Sequence, residues 1–444
     1  MGKGKIMKKT WVKHVLSSAV LLTLSGAAAG EDLQDVVTYA IANNPQVLST
    51  VQRREAADAG IKSARGGYYP KVDVLYGTGR AITKNPSTIA AGQDWVHLNR
   101  RQGGVVINQM LWDGLGTKSE VDRREAIYQS AGYRVYGTAE EIGLQAIDAY
   151  LDVLRNREQV AYAKENFQAH QRTFDQVKLR SDRGVGRRAD LDQTDARLAL
   201  AQSNLEAAES TLRDAEIAFE RIVGKPAGSL AAAPTPPATP KTTAEALTIA
   251  LNNHPTLKSA RADIDAANAQ REAAKALLSP RFELEYNHGE NRNLLGVPGP
   301  NNDKVLMLWA KWNVFRGGTD YYRLGETAAQ INEATEIASN TRRQVESAVR
   351  LSYNAYATAR GRLPSLERYV KAADATRDAY SKQFAIGQRT LLDLLDSENE
   401  YFTARSTYLS GKYIELSAQY RLLSATGQLL SALGVAPPPA VATN

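Results

Sequence analysis

The stretch from Leu33 to Pro45 recurs as Thr243 to Pro255, and this internal duplication limits the architecture more than any other feature of the chain. The offset of 210 between Pro45 and Pro255 still holds from Pro70 to Pro280. It then falls to 203 for Gly114 to Gly317, Tyr150 to Tyr353, Gly184 to Gly387 and Asp190 to Asp393. The first copy therefore carries seven extra residues between Pro70 and Gly114. The reading divides the chain into a leader (1–30), a first repeat (31–225), a Pro-rich linker (226–241), a second repeat (242–435) and a disordered tail (436–444).

Each repeat has the same internal order. A short helix ends at Asn44-Pro45, or at His254-Pro255, and a new one begins there and runs to about Gly66 or Leu278. Two strands follow, about 70–80 and 102–112 in the first repeat and about 280–288 and 304–315 in the second. Phe282, Leu284 and Tyr286 alternate with Glu283, Glu285 and Asn287, the period-two pattern of a sheet with one apolar face. Then Trp112-Asp113-Gly114 and Phe315-Arg316-Gly317-Gly318 lead into long helices, from Thr117 to about Ser181 and from Thr319 to Phe384, the second interrupted only by Pro364. A helix of that length is roughly 100 Å long, so the fold is an extended bundle or tube. The return helix, Asp190 to Val223, covers only half of it, and the helix from Pro45 is placed to complete the remainder end to end.

The return helix has a heptad period. Leu191, Leu198, Leu205, Leu212 and Phe219 recur every seven residues beside a seam of small ones, Thr194, Ala201, Ala208 and Ala215. The second copy places Ser397, Ala404, Gly411, Ala418 and Ala425 on that seam. A two-stranded coiled coil and a multi-helix tube both satisfy this period.

Composition narrows the function. Lys3, Lys5, Lys8, Lys9 and Lys13, an apolar stretch from Val15 to Leu24 and Ala27 to Ala29 read as a cleavable secretion signal. Without its five lysines the 55 basic residues become 50 against 48 acidic ones, so the positive net charge does not point to nucleic acid. The chain has no cysteine, which excludes disulfides, thiolate metal sites and a lipidated N-terminal Cys. No run of eighteen apolar residues follows the leader, so any membrane-spanning part must be a β-barrel. Gly184-Val185-Gly186 follows a helix, not a strand, which rejects a dinucleotide fingerprint. The five histidines lack ligand spacing and no phosphate-binding loop occurs. The expectation is a protein that is not an enzyme and has neither cofactor nor metal.

The second helical hairpin turns at Phe384-Ala385-Ile386-Gly387-Gln388-Arg389-Thr390, followed by Leu391-Leu392-Asp393-Leu394-Leu395-Asp396. Thr390 and Asp393 have capping-box spacing, which gives Asp393 a purely structural reading. Asp396 lies one turn further along the same face.

Signal segment, duplicated helix–strand–strand–helix–helix order, Asn-Pro break and aromatic-x-Gly turn together resemble the TolC family over Glu31 to Gly434. The resemblance implies a mainly α homotrimer with an internal duplication. Each subunit would give four strands to a shared 12-stranded outer-membrane barrel, continued by a periplasmic α-helical barrel. Four strands cannot close a barrel or hide their edges in lipid, which independently calls for further copies. By position, the resemblance makes Arg389 and Phe384 the gating pair, Asp393 and Asp396 the entrance carboxylates, and Asp190 the partner acid on the first hairpin. Phe384 stands where the family usually has Tyr. Around a threefold axis the two acids would form a negative ring of the kind that selects cations.

The function implied is a passive duct in the outer membrane of a Gram-negative bacterium, reaching into the periplasm. Its partners would be a periplasmic membrane-fusion adaptor, an inner-membrane ABC or RND transporter and outer-membrane lipid, with no nucleic acid. The turns at Trp112 and Phe315 resemble the branch of type I secretion channels that export large proteins such as adhesins. Small-molecule or drug efflux is the alternative, and a periplasmic coiled coil that is not a channel is a third reading.

Overall fold

The computed structural model describes residues 30–236, 239–436 and 438. Apart from Gly30, Ala436 and Pro438, the expected leader and tail lie outside the described residues. The first repeat contains α1 (Leu33–Asn43), α2 (Pro45–Arg65), β1 (Lys71–Thr83), α3 (Pro86–Ala90), β2 (Val96–Trp112), α4 (Gly116–Asp182) and α5 (Arg188–Val223). The second contains α6 (Thr243–Asn253), α7 (Pro255–Ala276), β3 (Arg281–Arg292), β4 (Pro300–Lys311), α8 (Thr319–Ala385) and α9 (Leu391–Ala425), followed by α10 (Leu429–Ala432).

The Asn-Pro break has the same cause in both copies. Asn44 caps α2 by accepting from the Gln46 amide at 2.9 Å, and Pro45 occupies the first turn, where a missing N–H costs nothing. In the second copy His254 Nδ1 accepts from the Thr256 amide at 3.3 Å ahead of Pro255. The side chain of Asn44 also donates to the carbonyl of Ile222 at 3.2 Å, so α2 begins where α5 ends. The two shorter helices, of 36 and 21 residues, thereby run end to end along the 67-residue α4. Helix α8 passes through Pro364 without ending, so the interruption expected there is absent.

The four strands form one antiparallel sheet in the order β1-β2-β3-β4. Three of them run further than their apolar centres suggest, because polar and glycine residues continue the ladder toward the loops. The fourth is displaced. It pairs over Pro300–Lys311 and does not reach Phe315, because β3 begins at Arg281, opposite Lys311, and offers no partner beyond. Trp312 instead donates from its ring N–H to the Leu278 carbonyl at 3.0 Å, and Phe315 is 83% exposed.

Register sorts the side chains onto two faces. On one, Val72, Ile107, Tyr286 and Leu306 stand in a row beside a second row of Gln109, Leu284 and Leu308. On the other, Lys71, Asn108, Glu285 and Met307 align, as do Asp73, Val106, Asn287 and Val305. Among the described residues both outer edges, β1 and β4, are unpaired.

The main core sits midway along the helices, where α1, α4, α5, α9 and α10 meet the linker. Tyr150 and Tyr420 are fully buried there, and their hydroxyls donate to the linker carbonyls of Ala231 at 2.6 Å and Pro234 at 2.9 Å. Apolar rings anchored by a polar tip let a proline-rich segment, whose described residues make only an isolated bridge from Leu230 to Glu31, be held as a belt.

Candidate functional site

The long helices α4 and α8 both start beside the sheet and end at a hairpin tip, roughly 100 Å away by their rise per residue. Each tip closes on a glycine in the left-handed region, Gly184 at φ +76° and Gly387 at φ +77°. Val185 N donates to the Arg180 carbonyl at 3.1 Å, and Gln388 N to the Gln383 carbonyl at 2.9 Å. This six-to-one closure satisfies carbonyls that the helix ends leave open, and it needs the positive φ that glycine adopts without strain.

At the second tip Thr390 caps α9. Its hydroxyl accepts from the Asp393 amide at 3.2 Å while the Asp393 carboxylate accepts from the Thr390 amide at 3.4 Å, a reciprocal capping box, and the hydroxyl also donates to that carboxylate at 2.8 Å. The Thr390 hydroxyl holds the Asp393 carboxyl below the usual aspartate range, helped by the Thr390 amide and by Arg389. The Arg389 guanidinium is 3.7 Å from that carboxylate. Its Nε donates to Gln383 Oε1 at 2.9 Å, and the group lies 4.1 Å from the ring centroid of Tyr380.

Arg389 is therefore held within its own hairpin by Gln383 and Tyr380, not by Asp190 or Phe384. Phe384 packs into a small cluster with Val177, Leu191, Leu391 and Leu395, which joins the two hairpins near their tips, and Arg180 lies 5.5 Å from its ring centroid. Asp190 sits in the first turn of α5, its carbonyl accepting from the Thr194 hydroxyl at 3.1 Å. Asp396 is bound by a residue the sequence did not single out: Arg197 on α5 donates to it at 2.8 Å. That charge-assisted bond ties the first hairpin to the second. On α4, burial lowers the pKa of His170, with the Arg197 charge adding to the effect.

Tyr380 had a readable signal, since it lies one helical turn before Phe384 and is itself the aromatic with a hydroxyl. Arg197 had none, because its contact with Asp396 spans 199 residues of chain.

Comparison with known proteins bears on the whole chain. The family model "Outer membrane efflux protein" matches residues 36–225 and 246–428, one segment in each repeat. The outer membrane protein TolC of Vibrio cholerae is 25% identical over 396 residues, covering 87% of this chain and 88% of that one. The alkaline protease secretion protein AprF of Pseudomonas aeruginosa is 25% identical over 410 residues, covering 89% and 83%. Among solved structures, the CmeC outer membrane channel of Campylobacter jejuni superposes with a TM-score of 0.79 at 16% identity, covering 90% of this chain and 86% of that one, a likeness of fold. The duplicated helices, the four-stranded sheet and the paired tips belong together: this chain is a member of the outer membrane efflux protein family, an export channel of the outer membrane.

Proposed function

We propose that three copies of this chain close their sheets into one 12-stranded barrel and their helices into a periplasmic tunnel, a passive duct that catalyses no reaction. The observation that carries this reading is the sheet, which is apolar on one face and open at both edges. Such edges are tolerated in lipid only when copies pair them into a closed barrel. The strands have 12 to 17 residues, enough to cross the bilayer when tilted.

The two tips form the entrance. Asp393 and Asp396 from three subunits converge on the axis, and Arg389, held by Gln383 and Tyr380, restrains the turn that carries them. The Arg197–Asp396 pair restrains the two hairpins against each other. An adaptor and an inner-membrane ABC or RND transporter dock there and supply the energy. The cargo is a polypeptide exported by type I secretion, a reading supported by the likeness to a protease secretion protein over most of both chains.

Single-channel recording in planar bilayers tests the duct and its entrance together. Asp393→Ala with Asp396→Ala should abolish block by multivalent cations and reduce cation preference. Arg389→Ser should raise resting conductance and leave the cation block intact. Unchanged cation preference in the double mutant would remove these carboxylates from the entrance. For cargo, a deletion strain should lose a large protein from its medium; sensitivity to small toxic compounds without that loss would favour drug efflux.

A further inference from the structure

The sheet carries a basic cluster that neither the tunnel nor its gate uses. We propose that Arg80, Arg101 and Arg292 form a binding station for the phosphates of anionic lipid headgroups in the outer leaflet. The inference rests on the barrel reading above, and on no property of the tips.

Register places the three arginines on one face. Thr78 pairs with Arg101 and Arg101 with Arg292, while Arg80 stands two residues along β1 from Thr78, diagonal to Arg101. This face also carries Val72, Val74, Tyr76, Val105, Ile107, Leu284, Tyr286, Leu306 and Leu308, the side assigned to lipid. All three arginines are exposed.

Depth agrees. Arg80, Arg101 and Arg292 lie eight to ten residues from the helix-proximal end of the apolar stretch on their strands, at Val72, Leu111 and Phe282. At about 3.3 Å per residue and a tilt of about 40°, that is roughly 20–25 Å, close to the height of the apolar band of an outer-membrane barrel. The helices leave from the other end of the strands, so the cluster belongs to the outer interface.

Charge then selects the ligand. Arg101 and Arg292 are directly opposed in the ladder, where like charges repel. Among the described residues none of the three arginines forms a salt bridge. The one carboxylate on this face within the strands, Glu290, meets His288 at 3.4 Å. Lys304, opposite His288, adds a further positive charge. Three guanidinium forks converging at headgroup height match phosphate oxygens, which accept paired N–H bonds. Arg100 supplies the internal contrast: it pairs with Gly79 on the opposite face, inside the barrel.

The test uses the purified full-length assembly in detergent, titrated with diphosphorylated lipid A, with the same lipid stripped of its phosphates, and with inorganic phosphate. Melting midpoint and lipid retention in native mass spectrometry are the readouts. The phosphorylated lipid should raise the midpoint and remain bound, and the other two should not. Arg101→Gln together with Arg292→Gln should weaken retention at least tenfold, and Arg100→Gln should leave it unchanged. Single Arg101→Gln gives a sign reversal. Without lipid it should melt no lower than the wild type, because it relieves repulsion, and with phosphorylated lipid it should melt lower. Equal retention of the two lipids, equal protection by inorganic phosphate, or retention unaffected by the double substitution would each overturn the station. Loss of ion conductance in the wild type would instead overturn the barrel.

Discussion

Helices α4 and α8 are products of one duplication and have 67 residues each, yet α4 buries twenty of them and α8 only seven. The difference lies in their neighbours. Helix α4 is packed by α1, α2, α5, α7, α9 and α10, whereas α8 has α6, α7 and α9 and leaves one side bare. That bare side is not polar: Leu351 is 68% exposed and Ile337 57%. At the offset of 203 their counterparts on α4 are Asp148 and Arg134, and both are satisfied inside the subunit. Asp148 accepts from the Ser417 hydroxyl at 2.6 Å, and Arg134 meets Asp263 at 2.8 Å. Duplication supplied two similar helices, and substitution then turned one toward its own subunit and left the other with an apolar side that a second copy would cover in the proposed trimer. Exposed apolar side chains on a long, otherwise charged helix mark an interface.

The largest effect should come from breaking this asymmetry. Leu351→Glu with Ile337→Glu should convert the assembly to monomers in light scattering, since each buried aliphatic side chain is worth about 1.5–3 kcal/mol and threefold symmetry repeats the loss at every interface. Asp148→Leu at the matching position should leave the assembly intact and cost about 1 kcal/mol of stability, from the lost bond to Ser417. Trimers persisting with both glutamates would mean that α8 faces solvent.

A second contrast in the same helices is sensitive to pH. Glu140 on α4 is 3% exposed and accepts from the Leu429 and Leu430 amides at 3.1 and 3.2 Å, clamping α10, while its counterpart Arg343 on α8 is exposed. Burial pushes the Glu140 carboxyl up to about 7, against the opposing pull of those two amides and the Tyr136 hydroxyl. A carboxyl raised on folding binds its proton more tightly in the native state. Its contribution is therefore full below the unfolded pKa and is lost as pH rises to about 7, at most about 3 kcal/mol. Thermal unfolding of Glu140→Gln should lack this decline between pH 5 and 7. An Arg343→Gln variant should keep the wild-type profile.

The sequence made the repeat, the helix breaks and both tip turns legible because each depends on local chemistry: proline at a first helical turn, glycine at positive φ, a Thr-x-x-Asp cap. Strand ends were less legible. Asn291 and Arg292 continue β3 although they read as loop, because the partner strand, not their own propensity, keeps them in the ladder. Phe315 failed for the opposite reason, being apolar at a position with no strand left to pair with. At the site, Asp393 and its cap could be read within four residues of sequence. The partner of Asp396 could not, because Arg197 reaches it only after two separate hairpins have packed through Val177, Leu191 and Leu395. Arg389 lies between these cases: its holders Gln383 and Tyr380 are near in sequence, but Phe384, one turn away, competes for the same inference.

The smallest effect concerns the two tips themselves. They share the glycine turn and an acid at the third helical position, Asp190 or Asp393, but only the second has a hydroxyl at the N-cap. At the first tip the N-cap is Arg187, whose side chain makes no capping bond, so the first amides of α5 lack the partner that Thr390 gives those of α9. Thr390→Ala should therefore fray α9 by about 1 kcal/mol, seen as roughly five- to tenfold faster hydrogen exchange over residues 391–395. Arg187→Ser should slow exchange at the start of α5 by a similar or smaller factor, because a serine hydroxyl there can bond the Asp190 amide and complete the same box. These substitutions also separate the two roles open to Asp393. If its carboxylate acts on ions, Thr390→Ala leaves the charge in place and should preserve block by multivalent cations even as the helix end frays. Loss of block in Thr390→Ala would mean that the cap aims the carboxylate, making Thr390 a positioning residue of the entrance.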